Sequence, residues 1–488
     1  TEFISPDIGE KMRRLREDLG IRYGIHGLCG AMGSKGIFLD SAVKDDYLRT
    51  HASLIKDLER SGKLESKYYL QHASETSPYG WLGRDFQSTD LLDIWGRPLY
   101  RFLEENPNVL DWLVEQDEIR CLRGGTVDDM IEHVRRPVTE EATNEAKTEM
   151  YNEGKIKEDK DLYKPEIQNE MRNRIEKKVN QTLRPTAKKH AKEALLDSLK
   201  RVDLAYGPER VAYLATAKWM YDKRDPIWMG VVEGGKFNKE EDKKWVPAVS
   251  LKYIWGHFNP KGLEDPKPIL EKYNIDFVIE TAMVSAGSEE EYRLTNPMHF
   301  VILCKNVGTK HFRAAIDFEH ILGAGIHPLK DCIDPMIPDG GKYINVLHVG
   351  WPTPVEPAHV PIPVGSEQQE WLYQWMLALR KKGFDESENR YIIFERAGGV
   401  GGDPVEQSAL ALKKIIEFLR KDVPVDQLPP AFYGVEEKDI KMQETEIREH
   451  AFDPIRGLLH APEETHGFLS RAAVEKGKIK EWETEKYR

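Results

Sequence analysis

Short apolar runs rich in β-branched residues recur along the chain. Between them lie longer segments whose apolar residues return every third or fourth position. The runs are Tyr23–Leu28, Tyr68–His72, Ile227–Val232, Ile275–Glu280, Phe312–Asp317, Ile344–Val349, Tyr391–Glu395 and Ala431–Val435. Each is too short for a helix and is bounded by Gly, Pro or polar residues, the signature of a buried strand. Helical spacing is clearest in Asp45–Arg60 (Tyr47, Leu48, His51, Leu54, Ile55, Leu58), Glu367–Lys382 and Pro404–Leu419. Alternation of strand and helix implies a mostly parallel sheet covered on both faces.

Eight strands with intervening helices are the count of a (β/α)8 TIM barrel, an α/β fold, and this is the architecture expected. A doubly wound open sheet gives the same local pattern. The chain has no GxGxxG between strand and helix and no GxxxxGK[ST], which weakens the nucleotide-binding versions of that alternative. About 150 residues separate the second and third predicted strands, far more than a loop needs. Within them 140–204 holds 29 charged residues among 65, a composition for long exposed helices or a helical hairpin. The expected organisation is a first part of the barrel at 1–84, a helical insertion at 85–207, the rest of the barrel at 208–435 and a C-terminal extension at 436–488. The insertion or the extension is the expected route to a homo-oligomer.

Composition narrows the class. Of 488 residues, 40% are apolar and 32% charged, enough apolar surface for a sizeable core. No run reaches the roughly 18 apolar residues of a membrane-spanning helix, so no membrane association is expected. The N-terminal stretch lacks the pattern of a secretory signal. Four scattered cysteines (Cys29, Cys121, Cys304, Cys332) suit neither a disulfide framework nor a CxxC zinc site, and the expected location is a reducing cytoplasm. A net charge of −12 argues against a surface that coats nucleic acid. Met171–Arg201 nevertheless has ten Lys/Arg against three Asp/Glu. It reads as a basic arm or, more plainly, as a solvated helix whose charges meet the acidic residues before it.

The chemistry-bearing side chains are in phase with the strands. Glu280, Asp317, His348 and Glu395 each stand at the C-terminal end of one of four consecutive runs. In a parallel barrel those ends share one rim. Three carboxylates crowded there would repel one another and resist desolvation, and a divalent cation removes the conflict. Carboxylate oxygens with one imidazole suit one Mn2+, Mg2+, Co2+, Fe2+ or Zn2+ ion. Alone, any such carboxylate is more often a helix cap or a surface ion pair, and His26 and His257 read as hydrogen-bonded structural residues. The coincidence of four strand ends carries the metal reading.

Asp317-Phe318-Glu319-His320 followed by Gly323-Ala324-Gly325 resembles the fifth strand of the xylose-isomerase-like TIM barrels, the superfamily of endonuclease IV and the sugar isomerases and epimerases. Ile279-Glu280-Thr281, Leu347-His348-Val349-Gly350 and Phe394-Glu395-Arg396 resemble its fourth-, sixth- and seventh-strand segments, and His72 falls where the endonuclease branch has a second-strand histidine. The chain departs from that branch at two points: the third strand offers no histidine, and Pro357-Ala358-His359 has no aspartate two residues before its histidine.

What remains complete is a one-metal set, Glu280, Asp317, His348 and Glu395. The resemblance therefore implies an isomerase or epimerase of a sugar, sugar acid or sugar phosphate, working by proton transfer through a metal-stabilised enediolate. Glu280 and Glu395 would be the proton carriers. His320, Arg396, His72 and His359 are candidate contacts to substrate, although Arg396 reads equally as a partner of an outer helix and His359 as a surface residue. Gly398, Gly399, Gly401 and Gly402 offer backbone N–H groups to a phosphate, or form a flexible loop. Two rivals stand: a metal-dependent endonuclease at abasic sites, with nucleic acid as partner, and an assembly protein on a barrel with vestigial chemistry.

Overall fold

The computed structural model describes residues 6–27, 37–73, 87–88, 90–122, 125–201, 204–205, 209–240, 242–281, 293–351, 360–385, 389–395 and 404–452. The chain divides into two units, 1–361 with 375–405, and 362–374 with 406–488. No helix among the described residues is long and apolar enough to cross a membrane.

Among the described residues there are eight strands: β1 (Ile25–His26), β2 (Tyr68–His72), β3 (Gln87–Ser88), β4 (Leu204–Ala205), β5 (Asp276–Glu280), β6 (Phe312–Asp317), β7 (Ile344–Val349) and β8 (Tyr391–Phe394). Six of them form one parallel sheet in the order β1-β2-β5-β6-β7-β8, while β3 and β4 pair antiparallel on their own. The expectation of a closed eight-stranded barrel is therefore wrong: among the described residues β1 and β8 remain the outer strands of a half-barrel.

Two predicted strands are helical. Ile227–Val232 lies in the helix Pro226–Val231, because Asp225 caps it through the Ile227 N–H (2.9 Å) and Pro226 sits at its first position. Those start signals outweigh the β-branched composition of the run. Ala431–Val435 falls in the 3-10 turn Pro430–Tyr433, opened by Pro429-Pro430 and closed by Gly434 at φ 81°.

Side chains alternate across the sheet. Tyr68, Leu70, Val278, Ala315 and Val346 form a small cluster on its concave face, with Tyr391 and Ile393 packed against it. Tyr69, Phe277, Ile279, Phe312 and Ala314 point outward into the main core under the helices. The curl is tight enough to bring the Tyr68 and Tyr391 rings to 5.0 Å.

One irregularity decides what faces inward. Ala314 pairs with Ile344, but Ala315 pairs with Val346, so Asn345 is an extra residue on β7. A bulge of this kind shifts the phase of the strand beyond it. It turns Val346 and His348 to the concave face and sets His348 opposite Asp317. Asn345 is buried and its amide donates to Asp276 Oδ2 (2.9 Å).

The interval between β2 and β5 is largely helical. Val127–Asn152, capped by Thr126 and Asp129 in a reciprocal box, runs back along Pro165–Lys200. Val134, Val138, Ala142, Ala146 and Met150 recur every fourth residue on the buried face of the first helix, and Ala187, Ala191 and Leu195 on that of the second. The cations of Met171–Arg201 are met by acids: Arg174 by Glu153 and Glu170, Lys178 by Glu145 and Glu149, Lys192 by Asp111 and Lys200 by Glu104. The plainer reading of that stretch is the one the ion pairs fit.

The same unit encloses a charge cluster. Arg293, 2% exposed, donates to Glu209 (2.7 Å) and to the Tyr213 hydroxyl (2.9 Å) and lies 3.4 Å from Asp40. Burial alone would raise Glu209, but the guanidinium outweighs it and holds the carboxyl below its ordinary range. In the second unit, Tyr373, Phe418 and Phe432 pack edge to face, and Gln369 donates to the Phe432 carbonyl (3.1 Å).

Candidate metal centre

The inward alternation of five parallel strands ends in five polar side chains: His72 on β2, Glu280 on β5, Asp317 on β6, His348 on β7, and Glu395 immediately after β8. Parallel pairing puts all five at one end of the sheet, His72 opposite Glu280 and Asp317 opposite His348.

The four expected ligands do meet. His348 Nδ1 lies 2.9 Å from Glu280 Oε1, 3.2 Å from Glu395 Oε2 and 3.8 Å from Asp317 Oδ2. Glu280 is fully buried, and Asp317 and His348 nearly so. Both Glu280 oxygens, Asp317 Oδ2 and His348 Nδ1 have no hydrogen bond of good geometry. Buried polar atoms without partners are costly, and their convergence on one point fits a cation.

Asp317 serves two ends at once. Its Oδ1 accepts from the N–H groups of Glu319 (2.7 Å) and His320 (3.2 Å), capping the helix Phe318–Gly323. Its Oδ2 is left facing the centre. The cap reading and the ligand reading, alternatives in the sequence, thus belong to different oxygens of one carboxylate.

His320 is oriented by the Thr281 carbonyl, to which its Nδ1–H donates (2.9 Å), and this leaves Nε2 as the acceptor, 3.5 Å from Asp317 Oδ2. On the other side of Glu280, Oε2 lies 3.3 Å from His72 Nε2 and 3.7 Å from His26 Nε2. The result is three overlapping sets able to hold a cation: Glu280, Asp317 and His348; Asp317, His320 and Glu395; and His26, His72 and Glu280. His72 and His320, expected as substrate contacts, therefore stand at ligand distance. Arg396, His359, Gly398, Gly399, Gly401 and Gly402 lie outside the described residues.

His26 was passed over in the sequence as a structural histidine. The run Tyr23–Leu28 made it look mid-strand, whereas β1 ends at His26. A first run ending at His26 puts this histidine at a strand end like the other four.

The charges shape one another. Burial alone would raise Glu280, but the imidazoles of His348, His26 and His72 outweigh it and hold it well below the usual carboxylate range. Burial opposes a charged His348, yet Glu280 and Glu395 push its pKa well above the ordinary histidine value. Asp317 is raised to about 6, by burial first and by the charges of Glu280 and Glu395 in addition, against the pull of His320 and His348. Protons held on His348 and Asp317 do the neutralising that a cation would otherwise do.

A cavity of about 450 Å³ reaches the centre from the gap between β1 and β8, and His26, His348 and Glu395 form its inner end. Compared with known proteins, the chain matches no family model and no curated protein.

Proposed function

We propose that the chain is a divalent-metal-dependent isomerase or epimerase of a sugar, sugar acid or sugar phosphate. The observation that carries this reading is the meeting of three carboxylates from neighbouring strands around His348 Nδ1, all within 3.8 Å. The donor set fits one Mn2+, Mg2+, Co2+, Fe2+ or Zn2+ ion held by Glu280, Asp317, His348 and Glu395. Bound there, the ion supplies Lewis-acid polarisation of a substrate carbonyl.

The two glutamates are not equivalent. Glu280 is wholly enclosed and does not line the cavity, whereas the Glu395 side chain is 29% exposed and does. Glu395 is the carboxylate placed to take a carbon-bound proton from a substrate in the cavity and return it to the neighbouring carbon or the opposite face. Glu280 holds the centre together between imidazoles. The resemblance of the strand-end segments to those of sugar isomerases and epimerases supports the same chemistry.

The test is metal analysis followed by NMR of solvent deuterium uptake into a panel of sugars. Uptake at the carbon beside the carbonyl is expected, falling at least 100-fold in Glu395→Gln with the metal retained. Absence of uptake from every sugar by metal-loaded protein would sink the reading.

One observation favours a second reading. The His26–His72–Glu280 set gives Glu280 a cation position on each side, and paired cations suit in-line cleavage of phosphodiesters. An abasic-site endonuclease would bind two or three ions, nick abasic duplex, and lose affinity steeply between 50 and 200 mM salt.

A further inference from the structure

The cavity beside the centre has two chemically different ends. His26, His348 and Glu395 form the inner one, at the strand ends, and Arg22 and Tyr23 stand at the other, before β1 begins. Along β8 the cavity runs from Glu395 back to Tyr391, about 13 Å at the usual rise per residue. One half-open space of about 450 Å³ thus joins a group of carboxylates and imidazoles to a guanidinium.

The outer end suits negative charge. Arg22 Nη1 donates to Asn389 Oδ1 (2.6 Å), a neutral acceptor that holds the guanidinium across the seam between the starts of β1 and β8. Among the described residues Arg22 makes no ion pair, whereas Arg97, Arg120 and Arg174 each meet carboxylates. Its Nε–Nη2 edge is left for a ligand, and such an edge fits two oxygens of one anion. Tyr68 adds a second donor. It is 6% exposed, it lines the cavity, and its hydroxyl has no hydrogen-bond partner among the described residues. Gly24 sets its position: a Cβ there would come within 2.1 Å of Tyr68 Cζ, so the hydroxyl-bearing carbon rests against the backbone two residues after Arg22.

We infer that Arg22 and the Tyr68 hydroxyl bind a terminal phosphate of the substrate while its hydroxy-carbonyl end lies at the centre. An open-chain sugar phosphate has this polarity, with the phosphate on the carbon farthest from the carbonyl. The guanidinium edge takes two phosphate oxygens and the hydroxyl donates to a third, which a carboxylate does not have. Of the three substrate classes proposed above, these residues select the sugar phosphate. The carbonyl end rests on the metal reading; the phosphate end rests on Arg22 and Tyr68 alone.

Two measurements separate these parts. Deuterium uptake is compared on the full chain loaded with Mn2+, using pairs of sugars that bear or lack a terminal phosphate. The phosphorylated member should have the higher kcat/KM by roughly 10- to 100-fold, the worth of hydrogen bonds to a charged group. Arg22→Gln should lose most of that ratio, through KM, with manganese content unchanged. Tyr68→Phe, which removes only the hydroxyl, should lose a smaller part and serves as the second variant. A ratio near one, or a preference for the matching sugar acid, overturns the inference. Should no sugar take up deuterium, calorimetry of inorganic phosphate on the metal-free chain decides. Binding that Arg22→Gln weakens by about tenfold or more upholds the anion site while the isomerase reading falls. No binding, or binding indifferent to Arg22→Gln, overturns the inference as well.

Discussion

The Arg293 cluster and the strand-end cluster each bury carboxylates, but they balance the charge by different means. Glu209 and Asp40 face a guanidinium, which stays charged at any pH the fold survives, and the Tyr213 hydroxyl completes the network. Among the described residues, Glu280, Asp317 and Glu395 meet the imidazole of His348, whose charge depends on a proton. The first cluster carries its own permanent counter-charge and asks nothing of its surroundings. The second is completed only by something taken up from solution, a proton or a metal ion. Burial of charge is thus compatible with either a structural or a binding role, and the identity of the counter-charge distinguishes them.

Removing the permanent counter-charge is the harshest way to probe this contrast. Arg293→Ala leaves two buried carboxylates uncompensated and should cost about 3–5 kcal/mol, read from denaturant midpoints. Metal should have the next largest effect. At 100 times its dissociation constant, Mn2+ should add about 2.7 kcal/mol at pH 7.5, seen as a rise in Tm that chelator reverses. The gain should shrink at pH 5, where His348 and Asp317 hold protons against the ion.

Asp317→Asn should move stability in the opposite direction from Arg293→Ala. Asparagine keeps an oxygen for the helix cap and removes the charge. Because the folded carboxyl titrates near 6, above its unfolded value of 3.8, ionisation costs stability as pH rises through that window. The metal-free variant should therefore be more stable than the parent at pH 7.5, on the order of 1–3 kcal/mol, and no more stable at pH 4. A variant less stable than the parent at pH 7.5 would mean that the cluster balances itself as the Arg293 cluster does. The mildest case is the hairpin surface, where Arg174→Ala should leave the denaturant midpoint nearly unchanged despite its several acidic partners.

Much of the sheet was legible because its strands are buried on both faces, which writes them as continuous apolar runs. Phe312–Asp317 and Ile344–Val349 have the same limits in sequence and structure. Where the reading failed, local backbone chemistry prevailed over composition: Asp225-Pro226 starts a helix inside a β-branched run, and Pro429-Pro430 a 3-10 turn. Losing these two strands also lost the closed barrel, since a strand count is only as good as its weakest member. The centre survived that error because convergence needs neighbouring parallel strands and not a complete ring. His26 was missed for a smaller reason, a strand end placed two residues late.

Asn345 makes the chemistry of β7 depend on residue count as well as residue identity. Pairing the same residues without the bulge would restore regular alternation from Ile344, swing His348 toward the outer helices and offer Leu347 to the carboxylates in its place. Every side chain of the strand would still be present, in unchanged order, yet one face would read as the other. Engineering of this strand can therefore tolerate exchange of letters far better than a shift of frame.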